Sequence, residues 1–182
     1  MSYSIHPYLL NLSELENSFR SGSQAWADAL VGKFEHELKQ NDEWFKSEIV
    51  GGSPSLAKAL RELIMGSPSS TRHVFQYGYA LELLCRHFGR KLENAGFVEY
   101  HSGWLEKVGG VSAVLGAGPP VAIPRSNDFP MIGHATPRDA IKILATEPTE
   151  GNDPEVEEAR EVFRWWLEQA VKESKGLVLF EY

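Results

Sequence analysis

Apolar positions recur along most of this chain at three- and four-residue intervals, the spacing of helices with one buried face. The pattern is sharpest near the C-terminus. There Val156, Ala159, Phe163, Trp166, Leu167 and Ala170 fall on one stripe, and charged residues fill most of the remaining surface. Asp153 and Pro154 supply an N-cap and a first helical residue, glutamates 155, 157 and 158 crowd the first turn, Lys172 and Lys175 lie at the end, and Gly176 stops it. That order suits the unpaired amides and the dipole of a helix, so the pattern predicts one over 154–174.

The same punctuation marks shorter helices upstream. Thr136 and Pro137 open "PRDAIKILA", Ser53 and Pro54 open a segment that Gly66 closes, and Ser13 with Glu16 forms a capping box. Trp26, Leu30, Phe34 and Leu38 predict one helix over 24–39, with "DEWFKSEI" continuing it after a break. From Thr71 to Phe88, Val74, Tyr77, Gly78, Leu81, Leu84, Cys85 and Phe88 make a wide stripe. Leu83 lies opposite that stripe, so much of this helix should be enclosed. "SGWLEKV" reads as a further helical turn or two.

Strands are fewer. Pro7 bars a helix interior from "YSIHPYLL", which reads as extended. "GFVEY" is a short strand, and "LVLFEY" is apolar on both faces, as a buried strand is. The expected fold is a mostly helical α+β domain, a single one over 1–182, in which six to seven helices pack on a small sheet that includes the N- and C-terminal strands.

Composition narrows the function more than the fold. No apolar run reaches the ~18 residues of a membrane-spanning helix, and the N-terminus shows no basic leader with a cleavage site. The single cysteine, Cys85, cannot form an internal disulfide, which fits a reducing compartment and a cytoplasmic location. With 25 acidic against 18 basic residues the net charge is −7. That sign opposes phosphate backbones and favours a basic protein partner over nucleic acid.

One stretch fits neither helix nor ordinary turn: "GAGPPVAIPRSNDFPMIGHATP", residues 116–137. Its G-x-G lacks the third glycine of a dinucleotide turn, and Pro119 and Pro120 have no N–H groups to offer a phosphate. It reads chiefly as a strap: apolar Val121, Ile123, Phe129 and Ile132 anchor it, while "RSND" forms an exposed turn. Arg125, Asp128 and His134 are nevertheless the candidate site of the stretch. His134 lies two residues before the Thr136 cap, where a helix N-terminus favours the neutral imidazole that a general base requires.

Other chemistry is weaker. No histidine or cysteine spacing matches a metal site, and Cys85 and His87 diverge around their helix, so neither metal nor cofactor is expected. Cys85 lies on an apolar stripe, where a thiol behaves as a small hydrophobe. Trp165 falls on the side of its helix opposite the core stripe. It requires a covering segment of the same chain, the favoured account, or a partner.

The segments "PYLLNLSEL", "IPRSNDFPMIG" and "FRWWLEQAVKESKGLVLFEY" are similar to a family of small bacterial proteins known as a domain of unknown function. The resemblance spans nearly the whole chain and brings no activity, cofactor or catalytic residue with it. The resulting expectation is a non-enzymatic protein that acts by protein–protein binding, of which an immunity-type inhibitor is one form, with Trp165, Arg125 and Asp128 as binding residues. The alternative is a small-molecule hydrolase using His134 with Asp128 and Arg125.

Overall fold

The computed structural model describes residues 3–68, 75–101, 103–123, 130–146 and 153–182. In chain order β1 (Tyr3–Leu10) precedes helices α1 (Leu12–Ser18), α2 (Gln24–Lys33), α3 (Glu35–Trp44), α4 (Lys46–Val50), α5 (Leu56–Met65) and α6 (Phe75–Phe88). Strands β2 (Gly89–Lys91) and β3 (Val98–Tyr100) follow, then α7 (Trp104–Val108) and α8 (Val111–Gly116). The chain closes with β4 (Met131–Ala135), α9 (Pro137–Leu144), α10 (Pro154–Glu173) and β5 (Gly176–Glu181). These elements form two compact units.

The first unit comprises Met1–Leu12, Phe88–Pro120 and Met131–Tyr182. Its sheet is antiparallel, ordered β2-β1-β5-β4, with β3 also pairing with β1. As expected, the terminal segments pair, in register from Ile5↔Glu181 to Leu10↔Gly176. Pro7 is tolerated in this central strand for a specific reason. Ile5 and Pro7 point their main-chain groups away from β5: the Ile5 N–H donates to the Phe97 carbonyl, and the Leu92 N–H donates to the Pro7 carbonyl. The N–H that proline lacks therefore falls between short β2 and β3 and costs the β1–β5 ladder nothing.

One face of the sheet carries this unit's core. Ile5, Leu9, Leu177 and Leu179 meet Phe163, Trp166, Leu167 and Ala170 of α10. All of the predicted stripe is buried, Trp166 completely. Its indole N–H donates to the Glu93 carbonyl at 2.7 Å, and its ring lies 4.7 Å from that of Phe97. Two of the predicted caps form: Asp153 accepts from the Glu155 N–H, and Thr136 and Asp139 complete a capping box on α9. The capping box expected at Ser13 does not form, because α1 begins at Leu12 and places Ser13 inside the helix.

The second unit comprises Ser13–His87 and Val121–Pro130. Ten helices are described in the chain, more than the six or seven expected, because the segment after Ser23 is divided and because α8 (Val111–Gly116) forms where no helix was expected. Phe34 leaves helical geometry at φ −104° and ψ 13°, ending α2 and starting α3. This break turns its ring inward, where it is 8% exposed. The cap of α5 is Ser55 rather than Ser53: Ser55 Oγ accepts from the Lys58 N–H. Ser53 instead donates its N–H to the Glu48 carbonyl. Helix α6 is buried on most of its surface, Leu83 and Cys85 included, as its residues on both sides led one to expect. No helix among the described residues is long and apolar enough to cross a membrane.

Candidate functional site

Of the stretch 116–137, the described residues are 116–123 and 130–137, and the predicted site residues Arg125 and Asp128 lie outside them, as does Phe129. The remainder is organised around β4. Helix α8 rests on Gly133 so closely that a Cβ there would meet the Val114 carbonyl oxygen at 2.1 Å and the Leu115 Cα at 2.3 Å. Only a residue without a side chain fits. Successive strand residues point to opposite faces, so His134 is directed away from α8.

His134 is half-buried, and its Nδ1 lies 2.7 Å from the Gly118 carbonyl oxygen. A carbonyl only accepts, so Nδ1 carries the proton in this bond and Nε2 is the basic nitrogen of the neutral ring. The bond joins Gly118 and His134, near the two ends of the 116–137 stretch. His134 lies two residues before the Thr136 cap, yet its hydrogen bond is not to the helix that follows. That helix caps itself instead, through Thr136 and Asp139, and strand alternation turns the imidazole to Gly118.

Nothing described beside His134 completes a catalytic set. Among the described residues its hydrogen bond is to a backbone carbonyl, not to a carboxylate or a nucleophile. No group of three or more histidine, cysteine or acidic side chains among the described residues could hold a metal ion. Cys85 is fully buried, and burial first, then the Glu82 charge, pushes its thiol well above the ordinary range. A thiol so placed is not a nucleophile.

The outer face of α10 is different. Trp165 sits opposite the core stripe and keeps 36% of its surface exposed, so its cover is incomplete. On the same face lie Glu161 one turn before it, Glu158 two turns before it, and Lys172 two turns after it. Glu157 and Glu168 are paired within the helix, to Arg160 and Arg164. Glu158 and Glu161 are exposed and have no ion pair among the described residues. An indole thus stands at the centre of the longest described helix, beside two carboxylates that no described residue pairs.

Two polar clusters were not foreseen from the sequence. In the first unit Tyr100 donates its hydroxyl to Glu181 Oε1 at 2.6 Å, both residues being buried. Burial and this carboxylate hold the Tyr100 hydroxyl protonated far above its usual range. In the second unit Lys33 Nζ donates to His87 Nδ1 at 2.8 Å, with the Trp26 ring 5.2 Å from the imidazole. Burial, and secondarily Lys33, lowers the His87 pKa. A glutamate in the otherwise apolar "LVLFEY" was the available signal for the first cluster; the second joins residues 54 apart and had none.

A family model described as a domain of unknown function (DUF7691) matches the chain over residues 1–182. No curated protein and no solved structure matches it.

Proposed function

The chain belongs to the DUF7691 family, and from that premise we propose a non-enzymatic protein that binds a basic protein partner through the outer face of α10. The observation that carries this is Trp165, partly exposed in mid-helix beside Glu158 and Glu161, which have no ion pair among the described residues. Tryptophan contributes more to interfaces than its share of surface, because a large rigid ring desolvates at little entropic cost. Carboxylates around it steer a cationic partner and discriminate against an acidic one. The net charge of −7 acts in the same direction and repels nucleic acid. Immunity-type inhibition of a basic toxin is the form of binding this describes. The lone buried Cys85 supports a cytoplasmic location.

Photo-crosslinking in the source cells tests the proposal, with Trp165 replaced by a benzophenone amino acid. The expected product is one dominant adduct with a basic protein. Absence of adducts, or a smear over many proteins, would count against it.

The hydrolase alternative has one supporting observation. A histidine whose Nδ1–H is held by a carbonyl presents Nε2 as a base. Loss of a hydrolytic activity in His134→Ala, with partner binding intact, would favour that reading instead.

A further inference from the structure

The sheet of the first unit ends in a carboxylate that its surroundings do not neutralise. Glu181 is 8% exposed, on the face of β5 that Leu177 and Leu179 direct into the core. Its Oε1 accepts from the Tyr100 hydroxyl. No cation and no second donor among the described residues reaches the carboxylate. A single neutral donor compensates poorly for burying a charge, which ordinarily calls for an opposite charge or several hydrogen bonds.

Tyr100, which holds Glu181, belongs to an aromatic cluster, and Ile5 is the strand neighbour of Glu181 on β1. The Trp104 ring stacks on Tyr100 at 5.4 Å, the Tyr3 ring lies 5.9 Å from it, and Tyr3 and Trp104 both retain partial exposure. Across the β4–β5 ladder Glu181 faces Met131, which is half exposed. Glu181 is therefore mostly buried yet keeps 8% exposure, next to Tyr100, whose aromatic neighbours Tyr3 and Trp104 are partly exposed, and across the ladder from exposed Met131. Carboxylate plus aromatic rings is the chemistry that holds organic cations, by ion pairing and cation–π attraction together. A metal ion would want several oxygen ligands, and only one carboxylate is offered.

We propose that Glu181, with Tyr100, Trp104, Tyr3 and Met131, forms a binding site for an organic cation, an ammonium or guanidinium group. The Tyr100 hydroxyl fixes Oε1, and Oε2 meets the cation. The group can arrive as a free amine or guanidine, or as a lysine or arginine side chain of another protein. The site is separate from Trp165 and stands without the function proposed above.

Calorimetric titration of the full chain tests this in two arms at constant ionic strength. One arm uses methylguanidinium and methylammonium chlorides with sodium chloride as control, and the other uses short peptides containing one arginine or one lysine. Saturable binding in either arm is expected, weakened about tenfold or more by Glu181→Gln and unchanged by Val50→Ser, a substitution at an exposed position of α4. Binding of the free cations identifies a small molecule as the source; preference for the peptides identifies a side chain. Glu181→Gln preserves an acceptor for Tyr100 while removing the charge, so the ligand-free variant should melt at or above the wild-type temperature. A purely structural Glu181 would lower it instead. If that variant does not fold, Trp104→Leu supplies the same comparison. Linear, unsaturable heats in both arms, or equal binding by Glu181→Gln, would overturn the proposal.

Discussion

Trp165 and Trp166 are neighbours in sequence and opposites in environment. Trp166 is fully buried with its N–H on Glu93, so Trp166→Ala should cost ~3–5 kcal/mol, the range for truncating a core aromatic, whereas Trp165→Ser should stay within about 0.5 kcal/mol of wild type. Urea unfolding of the two variants reads this contrast directly. Cys85 should resist a thiol reagent in the folded chain and react on denaturation, because burial both blocks access and raises its pKa. Rapid native labelling would mean that the face of α6 is misassigned. Such assignments were legible in the sequence because helical spacing alone decides which side a residue faces. The Tyr100–Glu181 bond was not, since its partners lie 81 residues apart and meet through strand pairing that no local pattern specifies.

Among the elements, β4 depends most on a single position. A methyl group on Gly133 would overlap the α8 backbone, which cannot yield as a flexible side chain can. Gly133→Ala should therefore destabilise by about 3 kcal/mol, the upper end of overpacking costs, and a melting curve like that of wild type would contradict the packing. Helix ends set by Asp153 and Thr136 were legible because each cap acts on its own first turn. The division of α2 from α3 was not, because Phe34 leaves the helix to bury its ring, a tertiary demand that overrides local propensity. Helices α2 and α6 also give a pH dependence. Burial first and Lys33 second depress the His87 pKa from 6.5, so the unfolded chain takes up a proton before the folded one does. The stability linked to His87 is then complete above 6.5 and lost as pH falls through the lowered value. His87→Gln should flatten the fall in urea midpoint below that pH; an identical profile in the variant would refute the assignment.

At the scale of the molecule, the proposed function rests on charge and exposed surface. The acidic balance was plain from composition, and the outward position of Trp165 from helical spacing. Whether its neighbours were already neutralised was not, because glutamates 157, 158, 161 and 168 look alike until their partners are known. The structure pairs 157 and 168, whereas 158 and 161 have no ion pair among the described residues. Quantitative affinity capture from the source cells, with wild-type chain and Trp165→Ser side by side, puts the binding face to its most direct test. The account predicts one basic protein recovered in stoichiometric amount on the wild type, released by salt, and about tenfold less on a variant that melts identically, as loss of a hot-spot residue requires. Equal recovery on both chains, or no stoichiometric partner on either, would contradict it.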